Sequence, residues 1–385
     1  MKRVLILVFV TGLIIGTSYG MHGPMLPVFA KNDIGASYSE LGLIGLANFI
    51  PYMFIPLFVG ILLVRFNNSY LLAAGTAVNA VSIYLLSTAQ SVPELVGYRI
   101  MTGVAHAFFW PPCESIVSNA SSERDRVRNI SLFTMFFVIG FMAGPLIGNV
   151  LIENAEITYR ILFQITATIL AAAMVTSLMA SRTGVARRRD GLSLGSLKQF
   201  VRFPTVIMML VYCTASFGMI LTIFPAFLDD NSMSDSDILL LYFIFGISRV
   251  ATLAAGGRLA RHTAPTLICA SFAVAVGSLI AYGAESIAGF AAALLLMGFG
   301  FSIFFPLTLE IILTRTKRGI SGAVIGAYET VFGIGWAIGP ITAGYVSQFH
   351  GNDAPYVVFF AIGIGIGIVS IIRRRSLHPL RTETK

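Results

Sequence analysis

Gly140-Phe141-Met142-Ala143-Gly144-Pro145-Leu146-Ile147-Gly148 and, 195 positions later, Gly335-Trp336-Ala337-Ile338-Gly339-Pro340 are the stretches on which the fold turns. Glycines four apart leave a smooth stripe on a helix, so a second backbone can lie close to it. The proline that follows bends the helix. Both stretches lie inside long apolar runs, and the second repeats the spacing of the first.

The repetition extends outward from them. Ser18-Tyr19-Gly20-Met21 followed by Pro27 matches Ser216-Phe217-Gly218-Met219 followed by Pro225, at an offset of 198 throughout. Gly60 matches Gly257 at an offset of 197, and Gly103 with Phe108-Phe109-Trp110-Pro111 matches Gly298 with Ile303-Phe304-Phe305-Pro306 at 195. Four matches in the same order along the chain predict two parallel halves of like topology. Membrane proteins built from such repeats place a binding site near the bilayer midplane, between the halves.

Composition fixes the environment. Of the 385 residues 56% are hydrophobic and 11% charged, and the mean hydropathy is +0.83. A soluble domain carries roughly 25% charged residues, so a water-soluble, a disordered and a disulfide-rich secreted protein are all excluded. Cys113, Cys213 and Cys269 lie in apolar runs with no metal-ligand spacing. Apolar runs occupy 4–29, 40–64, 69–89, 94–116, 130–152 and 160–181, then 204–228, 237–257, 266–283, 288–313, 321–347 and 355–372. A helical span takes about 20 residues, and these runs are too long for barrel strands. The first run is too long for the apolar core of a signal peptide and ends in prolines, so it reads as a span.

The predicted fold is therefore an all-α integral membrane protein with twelve transmembrane helices in two pseudo-symmetric six-helix bundles. The bundles are 1–181 and 204–372, joined by a basic linker at 182–203 and followed by a basic tail at 373–385. Of the 26 Lys and Arg residues, all but Lys31, Arg160, Arg99 and Arg249 fall in the termini or in loops on their side of the membrane. That bias predicts cytoplasmic termini. The net charge of +8 then sets topology and is no footprint for nucleic acid. Short tails and minimal loops suit a monomer in the plasma membrane, with the lipid bilayer as its surroundings.

The glycine–proline segment, with Asn149 where a final glycine is usual, resembles the span-five motif of proton-linked exporters of the major facilitator superfamily. Pro24-x-x-Pro27 resembles the span-one proline pair of its twelve-helix drug:proton antiporters, and Arg99-x-x-x-Gly103 its span-four arginine motif. The resemblance covers essentially the whole chain and implies alternating access of two bundles. It assigns Gly140, Gly144, Pro145, Gly148, Gly335, Gly339, Pro340, Gly60 and Gly257 to helix packing and gating. The loop after span two departs from the pattern: Gly60 is followed by Val64, Asn67, Asn68 and Ser69, without the family's aspartate and arginines. The contacts of the cytoplasmic gate must differ or be weaker.

Ionisable residues inside a span are costly and mark function. Arg99, Gly103, His106, Trp110 and Glu114 fall on one stripe of span four at 100° per residue, which predicts a cavity face. Arg249 lies about 18 Å into span eight and serves either a buried ion pair or a substrate anchor. Glu329 shares a helix face with Trp336 and is predicted to titrate or to pair with Arg249. Tyr19 and His22 are expected on the same cavity, with Phe108, Phe109, Phe304, Phe305, Phe217 and Phe224 as apolar lining. The proton-coupling candidates are Glu329, His106, whose ordinary pKa of about 6.5 suits the task, Glu114 and Glu310.

No phosphate loop, zinc-protease motif, nucleophile elbow or cysteine pair is present. The sequence accordingly predicts no enzyme, cofactor or metal, but a secondary transporter of a small molecule. Proton-coupled export of a partly apolar compound is the first reading, and uptake of a small organic anion or sugar anchored by Arg99 and Arg249 is the second. A non-transporting scaffold or sensor is the competitor from another class.

Overall fold

The computed structural model describes residues 2–122, 125–155, 157–181, 202–315 and 321–378. Among them there are helices and no strand, arranged as twelve spans, three of them broken. Span one is Lys2–His22 and Met25–Asn32, span two Tyr38–Arg65, span three Asn68–Thr88, and span four Val92–Ala107 and Trp110–Asn119. Span five is Arg126–Ala155, span six Tyr159–Ser181, span seven Pro204–Thr222 and Phe224–Asp230, and span eight Asp235–Leu259. Spans nine to twelve are Thr263–Gly283, Ile287–Arg315, Ser321–His350 and Ala354–Ile372. Most of the basic linker, the end of the tail and the surroundings of Gly60 lie outside the described residues.

The breaks follow from proline chemistry. Proline has no N–H to give and crowds the preceding turn, so the helix stops before it and restarts with proline in its first turn. That happens at Gly23-Pro24, at Ile223 before Phe224-Pro225, and at Phe108-Phe109 before Trp110-Pro111-Pro112. Span four was read as continuous; the tandem prolines divide it, whereas the single Pro306 leaves span ten whole. Spans two and eight open with capping boxes at equivalent positions, Ser37 with Glu40 and Ser234 with Asp237. Each box satisfies two otherwise orphaned backbone N–H groups.

Eight stretches of the described residues are long and apolar enough to cross a membrane, and one of them, Asp235–Gly283, holds two spans. Large apolar side chains such as Phe54, Phe58, Tyr84 and Tyr345 stand exposed on the outer faces of the helices. In water they would be a liability; in a bilayer they face lipid.

Packing repeats with the sequence. Span one lies along span five and span three along span six; likewise seven along eleven and nine along twelve. The glycine–proline motifs make these contacts. A methyl at Gly144 would overlap the Thr17 carbonyl, and one at Gly339 the carbonyl of Ala215. Gly140 and Gly335 sit equally close to Leu13 and to Thr214. These contacts lie within each half. At the junction of the halves, span two runs along span eleven and span five along span eight. There Gly42 and Gly45 pack on Pro340, and Gly148 faces Leu239. Side-chain space at Gly257 is open, with no atom within 4 Å.

Polar contacts between the halves gather at the end away from the termini. Lys31 of span one pairs with Asp229, at 2.9 Å, and with Asp230. Tyr38 donates to Asp230 at 2.6 Å, and Asn32 donates to Asp229 at 3.3 Å. Asn352 adds a donor to Asp230 from its own half, at 3.0 Å. A second tie joins Tyr159 to Asp235 at 2.7 Å. Burial pushes the Asp230 carboxyl up, but the hydrogen bonds from Lys31, Tyr38 and Asn352 and the Lys31 charge together hold it below the usual carboxylate range.

Candidate functional site

A cavity lies between the halves at mid-depth, lined by residues of spans one to five, seven, eight, ten and eleven. It takes in Tyr19, His22, Arg99, His106, Trp110, Arg249, Glu329 and Trp336, together with Glu114. The stripe on span four is real: four of its five members face the cavity, while Gly103 turns to span two and lies against the Asn48 carbonyl.

The N-terminal wall is hydrogen-bonded. Asn79 donates to the Tyr19 hydroxyl at 3.0 Å, and Thr102 to Asn48 Oδ1 at 2.6 Å. Trp110 Nε1 donates to His106 Nε2 at 3.1 Å, which leaves His106 with its proton on Nδ1. Its ring stacks on Tyr19, centroids 5.3 Å apart and 5° from parallel. His22 donates Nδ1–H to the Ser18 carbonyl at 2.7 Å.

The C-terminal wall is aromatic. Phe217 stacks on Phe301 at 3.6 Å, and Trp336 packs among Phe49, Phe217 and Phe332. Arg249, 6% exposed, lies over the rings of Phe141, Phe217, Phe245 and Phe301, its guanidinium carbon 5.0 to 5.6 Å from each centroid. Its Nε and Nη1 are buried without a hydrogen-bond partner, and so is the Nε of Arg99.

Glu329 does not pair with Arg249 in this state. Its partner is Tyr52, whose hydroxyl donates to Oε2 at 2.9 Å across the junction of the halves. Of the coupling candidates, Glu114 lines the cavity whereas Glu310 is exposed outside it. In the repeat alignment the two are one position out of step, and one position turns a helix by 100°. Phe217 and Phe305 line the cavity as expected. Phe108, Phe109, Phe304 and Phe224 do not; Phe224, for example, is buried among Phe227, Phe290 and Tyr356.

Tyr52, Asn48, Asn79, Phe141, Phe301 and Phe332 were missed. A usable signal existed for three of them. Phe141 stands 195 positions before Trp336, Phe301 stands 195 after His106, and Tyr52 stands 197 before Arg249. Each occupies the repeat partner of a residue already placed on the cavity.

Comparison with known proteins places this geometry. The sequence model of the Major Facilitator Superfamily matches residues 8–284 and 208–385. The quinolone resistance protein NorA of Staphylococcus aureus is 25% identical over 178 residues, 46% of this chain and 45% of NorA, so the match spans under half of that relative. The uncharacterized MFS-type transporter MT0872 of Mycobacterium tuberculosis is 25% identical over 411 residues, 96% of this chain and 92% of that protein. Among solved structures, the nucleoside transporter NupG superposes with a TM-score of 0.78 at 13% identity, over 96% of this chain and 98% of NupG. An inward-facing bacterial homologue of the lysosomal transporter Spinster gives 0.73 at 13%, over 98% and 96%. At such identities the likeness is one of fold.

Proposed function

Because this chain belongs to the major facilitator superfamily, and so is a multi-pass membrane transporter and not an enzyme, we propose that it exports a small, partly apolar compound in exchange for protons. The carrying observation is Glu329, a carboxyl group in an aromatic cavity whose hydrogen-bond partner is a tyrosine of the opposite half. A carboxylate without a cation beside it is expensive to bury, while the protonated acid is not. Proton gain and loss at Glu329 thus changes the energy of the Tyr52 junction, and a ligand or proton drives a conformational cycle only by differing in affinity between its states. His106 is the lesser candidate, since its Nε2 already accepts from Trp110. Likeness to a quinolone resistance protein supports a planar, partly apolar substrate.

The Lys and Arg bias supports cytoplasmic termini in a plasma membrane. The latch at Lys31 then closes the outer face, and the cavity awaits cargo from the cytoplasm. The division into bundles at 1–181 and 204–372 around a basic linker, and a monomeric state, complete the reading.

Proteoliposomes with an enclosed pH dye test it. A quinolone or similar planar compound is expected to release protons across the membrane in wild type. Glu329→Gln is expected to cut that flux at least tenfold while leaving binding within a few-fold. A variant that keeps both transport and its pH dependence would falsify the role of Glu329. Absence of substrate-linked proton movement in wild type would sink the exchange itself.

A further inference from the structure

Arg249 and Arg99 line this cavity and have no task in the proton-exchange reading, and Arg249 is the one set in the aromatic wall. A buried guanidinium ordinarily holds a carboxylate or several carbonyls. Arg249 does neither: it is nine-tenths buried, its Nε and Nη1 have no hydrogen-bond partner, and it takes no part in the ion pairs of the described residues. The four phenyl faces around it offset part of the cost of burying the charge but accept no hydrogen bond in its plane. Glu329, the acid on the same wall, is held by Tyr52 and does not balance it. From the guanidinium an aromatic wall runs through Phe217 and Phe301 to Trp336, whose Nε1 is also unpartnered.

We propose that Arg249 anchors an anion subsite that takes the carboxylate of an aromatic or alicyclic acid, with the ring of that acid lying along Phe217, Phe301 and Trp336. Guanidinium donors match carboxylate acceptors in number and plane. The wall supplies flat apolar surface for the body. A cation of the same shape meets the like charge of Arg249, and a neutral amide leaves the charge unbalanced. The assignment names the substrate class of the exporter and rests on that reading for transport alone; occupancy of the subsite can be measured without a gradient.

Isothermal titration of the purified full chain in neutral detergent, with 4-phenylbenzoate, 4-phenylbenzamide and 4-phenylbenzylamine, separates the terms. Wild type is expected to bind the acid at least tenfold more tightly than the amide, and the amine most weakly. Arg249→Gln should abolish that preference while amide binding stays within twofold, which also shows that the variant is folded; Arg249→Lys should keep part of it. Equal binding of acid and amide in wild type, preference for the amine, binding of none of the three, or an unchanged ratio in Arg249→Gln each overturns the assignment. If added phosphatidylglycerol erases the preference, the subsite holds a lipid headgroup and the assignment also fails. Loss of proton flux with an intact acid preference would refute only the exchange.

Discussion

The two walls of the cavity are built at the same positions from different chemistry. Tyr19 and Phe217, Tyr52 and Arg249, His106 and Phe301, Trp110 and Phe305, Thr134 and Glu329, Phe137 and Phe332, Phe141 and Trp336 are repeat partners, and every one of them lines the cavity. The scaffold beneath is equally matched, down to the paired glycine contacts and the paired capping boxes. The side chains are not. The first half presents hydroxyl, imidazole and amide groups bonded to one another beside Arg99 and Glu114, and the second presents mostly phenyl rings beside Arg249 and Glu329. Repetition has been kept where backbones touch and relaxed where side chains face the cavity, so the two walls differ in chemistry on a common scaffold.

That contrast is most exposed to attack at the glycines. Gly144→Leu and Gly339→Leu each drive a side chain into a carbonyl of the facing span. Overpacking costs typically 1–3 kcal/mol, occasionally more, and here it strikes backbone. Both are expected to abolish recovery of monodisperse protein in size-exclusion chromatography, and to do so alike. If one half tolerates leucine, the scaffold is less symmetric than its contacts. Next in size is Tyr52→Phe, which removes the hydrogen bond to Glu329 but keeps the ring against His106 and Trp336. Hydrogen bonds to charged groups contribute about 1.5–3 kcal/mol, so transport should fall roughly ten- to a hundredfold. Thr134→Val, at the repeat partner of Glu329, breaks no bond across the halves and should leave it within twofold.

The smallest effect is expected at the latch. Its Lys31 and Asp230 side chains are 21% and 27% exposed, and pairs of that kind contribute up to about 1 kcal/mol. Asp230→Asn should therefore open the latch end several-fold more often, read as a longer distance between spin labels at Ile34 and Ser232. The pH dependence has a definite sign. A carboxyl held below its ordinary value gives its full stabilisation above that value, and loses it only as pH falls through the lowered one. Between pH 5 and 8 the wild-type label distance should stay constant. A latch that loosens in that range would shift the proton-sensitive element from Glu329 to the rim.

Much of this molecule is legible in its sequence because lipid imposes strict terms. Twelve spans, their repeat and the glycine stripes follow from apolar length and spacing, which water-soluble packing would blur. The faces of the helices are harder. In span ten both lipid and cavity are bordered by phenylalanine, so no periodicity tells Phe304, buried in the bundle, from Phe305 on the cavity. Only a polar neighbour breaks that degeneracy, which is why the stripe on span four was readable. Glu310 shows the converse, since it stands one position off the repeat partner of Glu114 and one position moves a side chain to another face. That Asp230 closes on Lys31, some 200 positions distant, is a property of the folded junction.

Both tryptophans of the chain, Trp110 and Trp336, stand in the cavity wall, one in each half. The indole emission of the whole protein therefore originates at this cavity, with no distant tryptophan to dilute it. Trp110 is tied to His106 and Trp336 is not tied to anything through its N–H, so the two report from unlike surroundings. Substituting either by phenylalanine would leave a single native indole watching one wall of the cavity.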